Sequence, residues 1–387
     1  MVHTVKTRTI VSIVVLVGLF LLLLGGTAFA QEEIGEQATE LYQYHRGQDV
    51  FFMLMLVAFL MLFIKRYEWG VCLATLLVLA VSWPLYMLIH VGLMGGALDI
   101  EAVILGVFAS ITLVIAIGVF LGHISTPHYL IAAVLFVPAY MLNEWFMFEY
   151  LEGVLDAGGS ILVHLFAAFW GWGVILSLRN KAVLSQPMRT TVHSVSFVWL
   201  AAMLLLVLWP SFVTALVPPD EIIPSMINAF MALLASTLTA YLTLYILRRE
   251  VDPLIYTYAI LAGGVAIGAT VNIVGPTTAW VIGALAGVLS ALSFLFVDGW
   301  LQKKTGVLDT MGVNNLHGIP GIFGGLSALV VAGAPPEQAI AVVVAIAIAL
   351  GTGAVTGMVL RMLGRPELVL DDAESFPMDE PRTAEAE

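Results

Sequence analysis

Charged residues are scarce in this sequence: they make up 11% of its 387 residues, whereas 60% of the residues are hydrophobic. A soluble domain carries about a quarter charged residues, so this chain cannot cover a surface that faces water. The composition excludes a soluble enzyme, a nucleic-acid-binding protein and a disordered chain, and it predicts a polytopic membrane protein. Cysteine is scarcer still, because Cys72 is the only one, and a single cysteine excludes an internal disulfide.

The first 30 residues are typical of a secretory signal peptide. Lys6 and Arg8 precede an apolar run over 10–24, and Ala28-Phe29-Ala30 follows as a small-residue cleavage site. A retained extra helix is the alternative, because the apolar run is nearly long enough to cross a bilayer. In either case, we expect the acidic segment 31–49 to lie outside the cytoplasm.

Apolar windows of near-spanning length recur through the rest of the chain, and short polar breaks separate them. They lie at 50–64, 71–91, 99–121, 129–148, 158–178, 194–216, 227–246, 254–273, 278–297, 312–331 and 338–363. Because backbone polar groups in lipid must bond internally and these windows lack the alternation of barrel strands, we expect eleven transmembrane helices. The predicted domain covers 50–365, and an acidic tail over 366–387 follows it.

The basic residues after the signal indicate the orientation of these helices. Twelve of them fall in alternate loops or the tail: Lys65, Arg66, Arg179, Lys181, Arg189, Arg248, Arg249, Lys303, Lys304, Arg361, Arg365 and Arg382. The intervening loops carry acids instead, such as Asp99, Glu149 and Glu337. Cytoplasmic loops are enriched in Lys and Arg, so we expect a multi-pass protein of the cell membrane with a cytoplasmic C-terminus.

Two segments repeat one pattern, an Asp placed eight residues before a His. Asp156 precedes His164 and Asp309 precedes His317, at the starts of the fifth and tenth predicted helices. Since five helices separate the copies, the two segments must cross the membrane in opposite directions. We therefore predict an inverted repeat of five plus five helices with one extra helix, an arrangement that places functional sites at the repeat interface.

The repeated histidines are the candidate functional residues. Eight residues of helix rise about 12 Å, so each His should lie inside the hydrocarbon, where the two can meet. Two neutral imidazoles satisfy each other, one donating and one accepting a hydrogen bond, and a buried ionisable pair is a functional candidate. The alternatives are packing histidines or a metal site, although two ligands without a carboxylate or Cys cluster make a poor one. Asp156 and Asp309 precede helices, where a carboxylate caps free N–H groups.

Several segments together resemble the Rh glycoprotein branch of the ammonium transporter superfamily. They are QDVFFM (48–53), DAGGSILVH (156–164), WPSF (209–212), LAGGVAIG (261–268) and GVNNLHGIPGIFGG (312–325). The resemblance covers most of the chain from Tyr44 to Val331, and the 156–164 and 312–325 segments are specific in combination. It implies a homotrimer in which each eleven-helix protomer has its own narrow hydrophobic pore.

The resemblance also implies roles for particular residues. His164 and His317 match the paired pore histidines, and Asp156 matches the acid ahead of the first. Phe212 matches one phenylalanine of the external gate, and Phe108 falls where its partner would be. The chain departs from the family pattern at 165–167, where Leu-Phe-Ala replaces a Thr-Phe-Gly run, and in the eighth helix, where Ala269-Thr-Val-Asn272 lacks an expected acid.

The expected function is conduction of NH3 past the histidine pair, after NH4+ loses its proton at the outer vestibule. A hydrophobic pore without a carbonyl filter cannot replace the hydration shell of K+ or Na+. A CO2 channel and a membrane ammonium sensor are the alternatives, and an ion-coupled transporter lacks the second charged site that it would need. We expect no enzymatic activity and no cofactor or metal. The expected partners are NH4+/NH3, methylammonium or CO2 as alternatives, membrane lipid, and an unidentified cytoplasmic protein for the tail.

Overall fold

The structure is a computed structural model that describes residues 39–374 and 376, except 187, 189, 365 and 367. The predicted signal peptide at 1–30 lies outside the described residues. Within them, all regular structure is helical. We number the helical segments α1 (39–60), α2 (Glu68–Leu93), α3 (Ile100–Phe120), α4 (His128–Tyr150), α5 (Ser160–Leu178), α6 (Val192–Val213), α7 (Pro219–Arg248), α8 (Pro253–Ile267), α9 (Pro276–Thr305), α10 (Asn314–Gly318 continued by Ile319–Val331) and α11 (Glu337–Met362).

In the described residues, eight of these helices are long and apolar enough to cross a membrane: α2 to α7, α9 and α11. The protein is therefore a multi-pass helical membrane protein, and the prediction of eleven crossings stays a prediction. Several helix boundaries differ from those expected: α7 begins at Pro219 rather than at 227, and α9 ends at Thr305 rather than at 297. The first helix is already formed at residue 39, within the acidic segment, and α8 ends at Ile267 rather than at 273.

Packing between helices follows one pattern in both halves of the chain. Helix α2 packs against α3 and α4, and α7 packs against α8 and α9 in the same way. Helix α3 contacts α5 as α8 contacts α10, while α5 and α10 pack against each other. The partners of α2, α3 and α5 thus match those of α7, α8 and α10, five helices further on. The two segments that carry the repeated Asp and His meet at the junction of the halves, and α11 packs outside them on α4 and α5.

Helix α8 stops early because other parts of the chain bond its unwound continuation, residues 268–274. Asn228 in α7 donates its side-chain amide to the carbonyl oxygens of Val271 (2.8 Å) and Val274 (2.7 Å). The carbonyl of Gly268 accepts the N–H of Gly158 at 2.8 Å. A Cβ on Gly158 would lie 2.7 Å from the Cα of Gly268, so only glycine permits this approach. Irregular backbone inside a membrane protein is stable when the protein itself satisfies it.

One end of the bundle, which we call the basic end, carries the turns between α1 and α2, α3 and α4, and α5 and α6. Here the described part of the acidic tail, which includes residues 368–374, packs against the protein. The Asp372 carboxylate accepts the N–H groups of Gly70 (2.7 Å) and Trp69 (3.1 Å) at the start of α2, and Asp371 pairs with Arg66 at 3.0 Å. Ser125 donates a hydrogen bond to Glu374. We call the opposite end, with the loops 94–99, 151–158 and 214–221, the acidic end.

A buried histidine ties two loops together at the basic end. His123 is 2% exposed, and its Nε2 lies 2.9 Å from the Thr310 hydroxyl. Its backbone carbonyl accepts a hydrogen bond from the Asn180 side chain. Burial lowers the pKa of His123 to about 3, because the apolar surroundings disfavour the charged ring. His123 is therefore a neutral residue that holds the two loops together.

Candidate functional site

The two repeated segments have the same local structure, and the repeat is longer than the Asp-to-His spacing alone. Gly-Val-Leu-Asp occurs at 153–156 and again at 306–309. Gly153 and Gly306 both have positive φ angles (75° and 67°), and so do Gly159 (72°) and Gly312 (64°). Glycine adopts this left-handed conformation without strain. The repeated Gly-Val-Leu-Asp motif was a further sequence signal for the pairing of these segments.

Each repeated Asp caps the helix that carries its histidine. The Asp156 carboxylate accepts the N–H groups of Ile161 (3.0 Å) and Leu162 (2.8 Å). The Asp309 carboxylate accepts those of Val313 (3.0 Å) and Asn314 (2.9 Å). These N–H groups belong to the first turn of a helix, which has no partners of its own for them.

The two carboxyls lie in loops, buried from solvent, and their protonation responds to opposing effects. Burial raises the pKa of Asp156 and that of Asp309 to about 7, while the backbone N–H donors act in the opposite direction. Asp309 also accepts a hydrogen bond from the Trp172 indole at 3.3 Å. Both aspartates thus fix the start of a histidine-bearing helix, which is a positioning role.

Both histidines lie in wide turns, of the π-helical kind, that begin α5 and α10. In the first of these turns, the N–H of His164 bonds to the carbonyl of Gly159, five residues earlier, at 3.0 Å. Turns of this kind are rare and occur often at functional sites. They bring the two rings together, with the Nδ1 atoms of His164 and His317 3.1 Å apart. One Nδ1 must donate and the other accept.

The surroundings of the histidine pair are apolar and closed to solvent. His164 is 2% exposed and His317 is 8% exposed. The indole of Trp209 stacks on the His164 ring, with centroids 5.5 Å apart and planes inclined by 20°. The Nε2 atom of His164 is buried and has no hydrogen-bond partner in the part of the chain that the structure describes. This nitrogen is free for a small polar molecule, and Trp209 is a site residue that sequence reasoning did not single out.

Phe108 and Phe212 meet beside the pair, as expected from the sequence. Their ring centroids are 4.9 Å apart, and both side chains are buried. Phe212 also contacts His164, with 5.7 Å between the centroids. Phe108 lines a cavity at the acidic end and Phe212 lines one beside the histidines, so the two rings lie between that end and the pair, and we call them the constriction.

Three cavities follow one another from the acidic end to the far side of His317. A cavity of about 610 Å³ at the acidic end, which we call the outer cavity, reaches Phe108. Beyond the constriction, a cavity of about 30 Å³ is lined by Phe212, Trp209 and both histidines, and a second of about 30 Å³ lies on the other side of His317. The remaining walls of the small cavities are almost entirely apolar, formed by residues such as Val57, Leu60, Ile115 and Leu316. Each has room for about one water-sized molecule.

Two acids near the outer cavity have partners that the sequence did not name. Glu144 in α4 accepts a hydrogen bond from the Tyr86 hydroxyl in α2 at 2.9 Å. Asn272, in the segment that lacks the expected acid, donates to Glu221 at 2.8 Å. Glu221, at the start of α7, therefore lies next to the segment that lacks the expected acid. Among the described residues, no group of three or more His, Cys, Asp or Glu side chains could hold a metal ion.

Comparison with known proteins gives a consistent result. The family model for the Ammonium Transporter Family matches residues 11–387. Ammonium transporter Rh type A of Mus musculus is 32% identical over 336 residues, which cover 82% of this chain and 76% of the mouse protein. The structure of Nitrosomonas europaea Rh50, from the Rhesus protein family of channels, superposes with a TM-score of 0.86 at 36% identity, covering 89% of this chain and 94% of the other. A sensor Amt protein, 20% identical, shares the fold with a TM-score of 0.75 over 86% of this chain and 96% of its own.

Proposed function

The chain belongs to the Ammonium Transporter Family, in its Rh branch, and we propose that it conducts NH3 through the passage that contains His164 and His317. The observation that carries this proposal is the buried histidine pair between two cavities, each large enough for about one small molecule. Rh type A of Mus musculus and Rh type C of Bos taurus are ammonium transporters by name, and Nitrosomonas europaea Rh50 is named with the Rhesus protein family of channels.

The apolar walls select for an uncharged molecule. An ion that leaves water for a cavity lined by Val57, Leu60 and Ile115 loses its hydration shell, and these side chains offer no oxygen ligands in exchange. NH3 has no charge, so its transfer to the same cavity costs far less. NH4+ therefore gives its proton to water on the acidic side, before or at the Phe108 and Phe212 constriction, and NH3 continues alone.

The histidines supply the hydrogen bonds that the walls lack. NH3 both donates and accepts, so it can bond to the unpartnered Nε2 of His164 in the first small cavity and then meet His317, which lines both small cavities. Neutral rings suit this task, because the apolar surroundings disfavour a charged imidazolium. NH3 regains a proton after it leaves the second cavity at the basic end.

The proposed topology has eleven membrane helices in a five-plus-five inverted repeat, with the basic end in the cytoplasm and the acidic end outside. The positions of Lys and Arg support this orientation, and the matching neighbours of α2 to α5 and α7 to α10 support the repeat. The proposal includes a cleaved signal peptide over 1–30 and a homotrimer. Exposed apolar side chains on α6 and α7, such as Trp199, Leu234 and Leu238, are available for lipid or subunit contacts.

The test is gas permeation in proteoliposomes, measured by stopped-flow as the change in internal pH. The variants are the wild type, the His164→Ala plus His317→Ala double variant, and His193→Ala, an exposed histidine at the start of α6, as a matched control. We expect faster NH3 entry than in empty liposomes for the wild type and the control, and a return towards the empty-liposome rate for the double variant. CO2 entry is measured in parallel. Wild-type NH3 entry no faster than that of empty liposomes refutes the proposal.

A further inference from the structure

A buried amide two residues before His317 has both of its polar atoms bonded to one turn of α9. Asn315 is 0% exposed, and burying an amide is costly unless its polar atoms find partners. Its Oδ1 accepts the Ser293 hydroxyl at 2.5 Å, and its Nδ2 donates to the Asp298 carboxylate at 3.1 Å. All three side chains lie outside the linings of the two small cavities, so they do not contact NH3 there.

The shape of α9 allows two of its side chains to hold this amide together. Ser293 and Asp298 are five residues apart, which in a regular α-helix would separate their side chains by about 140° around the axis. The segment Ser293–Val297 is instead a wide turn of the π-helical kind, in which the N–H of Asp298 bonds to the carbonyl of Ser293. Because such a turn closes over five residues, it brings the two side chains towards the same face.

The other half of the repeat forms the same wide turns with apolar side chains. The residue that corresponds to Asn315 in the first segment is Leu162, since each lies two residues before its histidine. Helix α4 also ends in a wide turn, Phe146–Tyr150, and Phe146 begins it as Ser293 begins the turn of α9. The wide turns therefore form without an amide and a hydroxyl at these positions, so the polar residues of the second half serve something other than the turns themselves.

The two histidines differ in what holds their rings. The Trp209 indole stacks on His164, and Phe212 contacts the same ring. Within the described residues, the one aromatic ring stacked on His317 is that of His164. The position of His317 therefore depends on the turn that begins α10, and Asn315 ties that turn to α9.

We propose that Asp298 and Ser293 are positioning residues of the histidine pair. They fix Asn315, and Asn315 holds His317 within hydrogen-bonding distance of His164. The paired Nδ1 atoms are 3.1 Å apart, and a hydrogen bond is lost beyond about 3.5 Å, so a shift of about 0.5 Å in one ring separates the pair. This inference rests on the proposed function for its effect on conduction, whereas its effect on the pair itself does not depend on conduction.

The test combines two measurements on the full-length protein in liposomes. Solid-state NMR of protein with isotope-labelled histidine detects the coupling between the two Nδ1 nitrogens, which exists only while the hydrogen bond between them is intact, and stopped-flow measures NH3 entry. Asp298→Leu removes the acceptor, and Asp298→Asn keeps an oxygen acceptor for Asn315. Asp99→Leu is the matched control, because Asp99 accepts the N–H of Ala102 at the start of α3 and its loss also removes a carboxylate from a helix.

We expect the wild type, Asp298→Asn and Asp99→Leu to show the Nδ1 coupling and to conduct NH3 alike. Asp298→Leu should lose the coupling, and its NH3 entry should fall towards the rate of empty liposomes. Ser293→Ala, a smaller change that removes the other partner of Asn315, should weaken the coupling and slow NH3 entry in the same direction.

Several results overturn the proposal, and they differ from a failure of the proposed function. No coupling in the wild type, an intact coupling in both Asp298→Leu and Ser293→Ala, or equal losses in Asp298→Leu and in Asp298→Asn or Asp99→Leu would each overturn it. If the wild type conducts NH3 no faster than empty liposomes while Asp298→Leu alone loses the coupling, the proposed function fails and the positioning role stands.

Discussion

Replacing Gly264 with alanine should displace Trp209 from His164 and reduce NH3 conduction. Gly264 lies in α8, and a Cβ built there would be 2.5 Å from the indole Nε1 of Trp209. Carbon atoms in contact are separated by about 3.5 to 4.0 Å, so the indole has to move by roughly 1 Å or more. The indole stacks on the His164 ring and lines the adjacent cavity of about 30 Å³. A shift of that size therefore narrows a space that holds about one small molecule.

The expected magnitude of the Gly264→Ala effect follows from overpacking. Forcing an extra carbon into a filled interior costs about 1 to 3 kcal/mol, partly offset by the higher helix propensity of alanine. Gly351→Ala is the matched control, because Gly351 lies inside α11 and a Cβ there meets nothing within 4 Å. We expect Gly351→Ala to match the wild type in thermal stability and in NH3 entry, measured by stopped-flow. Equal stability and equal NH3 entry for both glycine variants would show that Trp209 does not fix the pore geometry.

Three further predictions concern the groups that hold the loops. Asp156→Asn should lower the free energy of unfolding by about 1 to 3 kcal/mol, because an amide N–H₂ cannot accept the N–H groups of the first turn of α5; an unchanged denaturation midpoint would contradict the cap. His123 has a pKa of about 3 when folded and about 6.5 when unfolded, so the unfolded state binds more protons between these values. The free energy of unfolding should therefore fall by up to about 1.4 kcal/mol for each pH unit below pH 6.5. In thermal melts from pH 7 to pH 5, the melting temperature of His123→Gln should fall less steeply than that of the wild type. Equal slopes for the two proteins would refute this. Asp372→Asn should weaken the bonds to the start of α2 by about 1 to 2 kcal/mol and speed limited proteolysis of the tail, and unaltered cleavage would show that the contact does not hold the tail.

The histidine pair was the part of the site that the sequence predicted best. Asp156 and Asp309 precede their histidines by the same interval, and because each Asp caps the turn that carries its histidine, the two histidines take similar places in those turns. Contrary to the expectation from the sequence, the eight residues are not all helical, because the first four lie in a loop. The capping role of the aspartates was predicted from their position ahead of each helix, and the structure gives both carboxylates N–H partners. The spacing along the chain is enough to predict these features, because each Asp caps the first turn of the helix that carries its His.

Features that depend on distant parts of the chain were not predictable from the sequence. Tyr86 and Glu144 are 58 positions apart and meet only because α2 packs against α4. The end of α8 at Ile267 was missed because the residues beyond it are apolar, and only Asn228 in α7 makes an unwound segment stable there. The start of the first helix at residue 39 was missed because residues 39–49 are mostly polar and lack an apolar run.

Two rings that share one Nδ1 proton are not alike. The ring that keeps this proton presents a bare lone pair at its Nε2, whereas the ring that accepts it carries its own proton on Nε2. At every moment the two outward nitrogens of His164 and His317 therefore have opposite hydrogen-bonding polarity, although similar segments supply them. The pair has a direction, and reversing that direction requires a proton to leave one outward nitrogen and another to arrive at the opposite one.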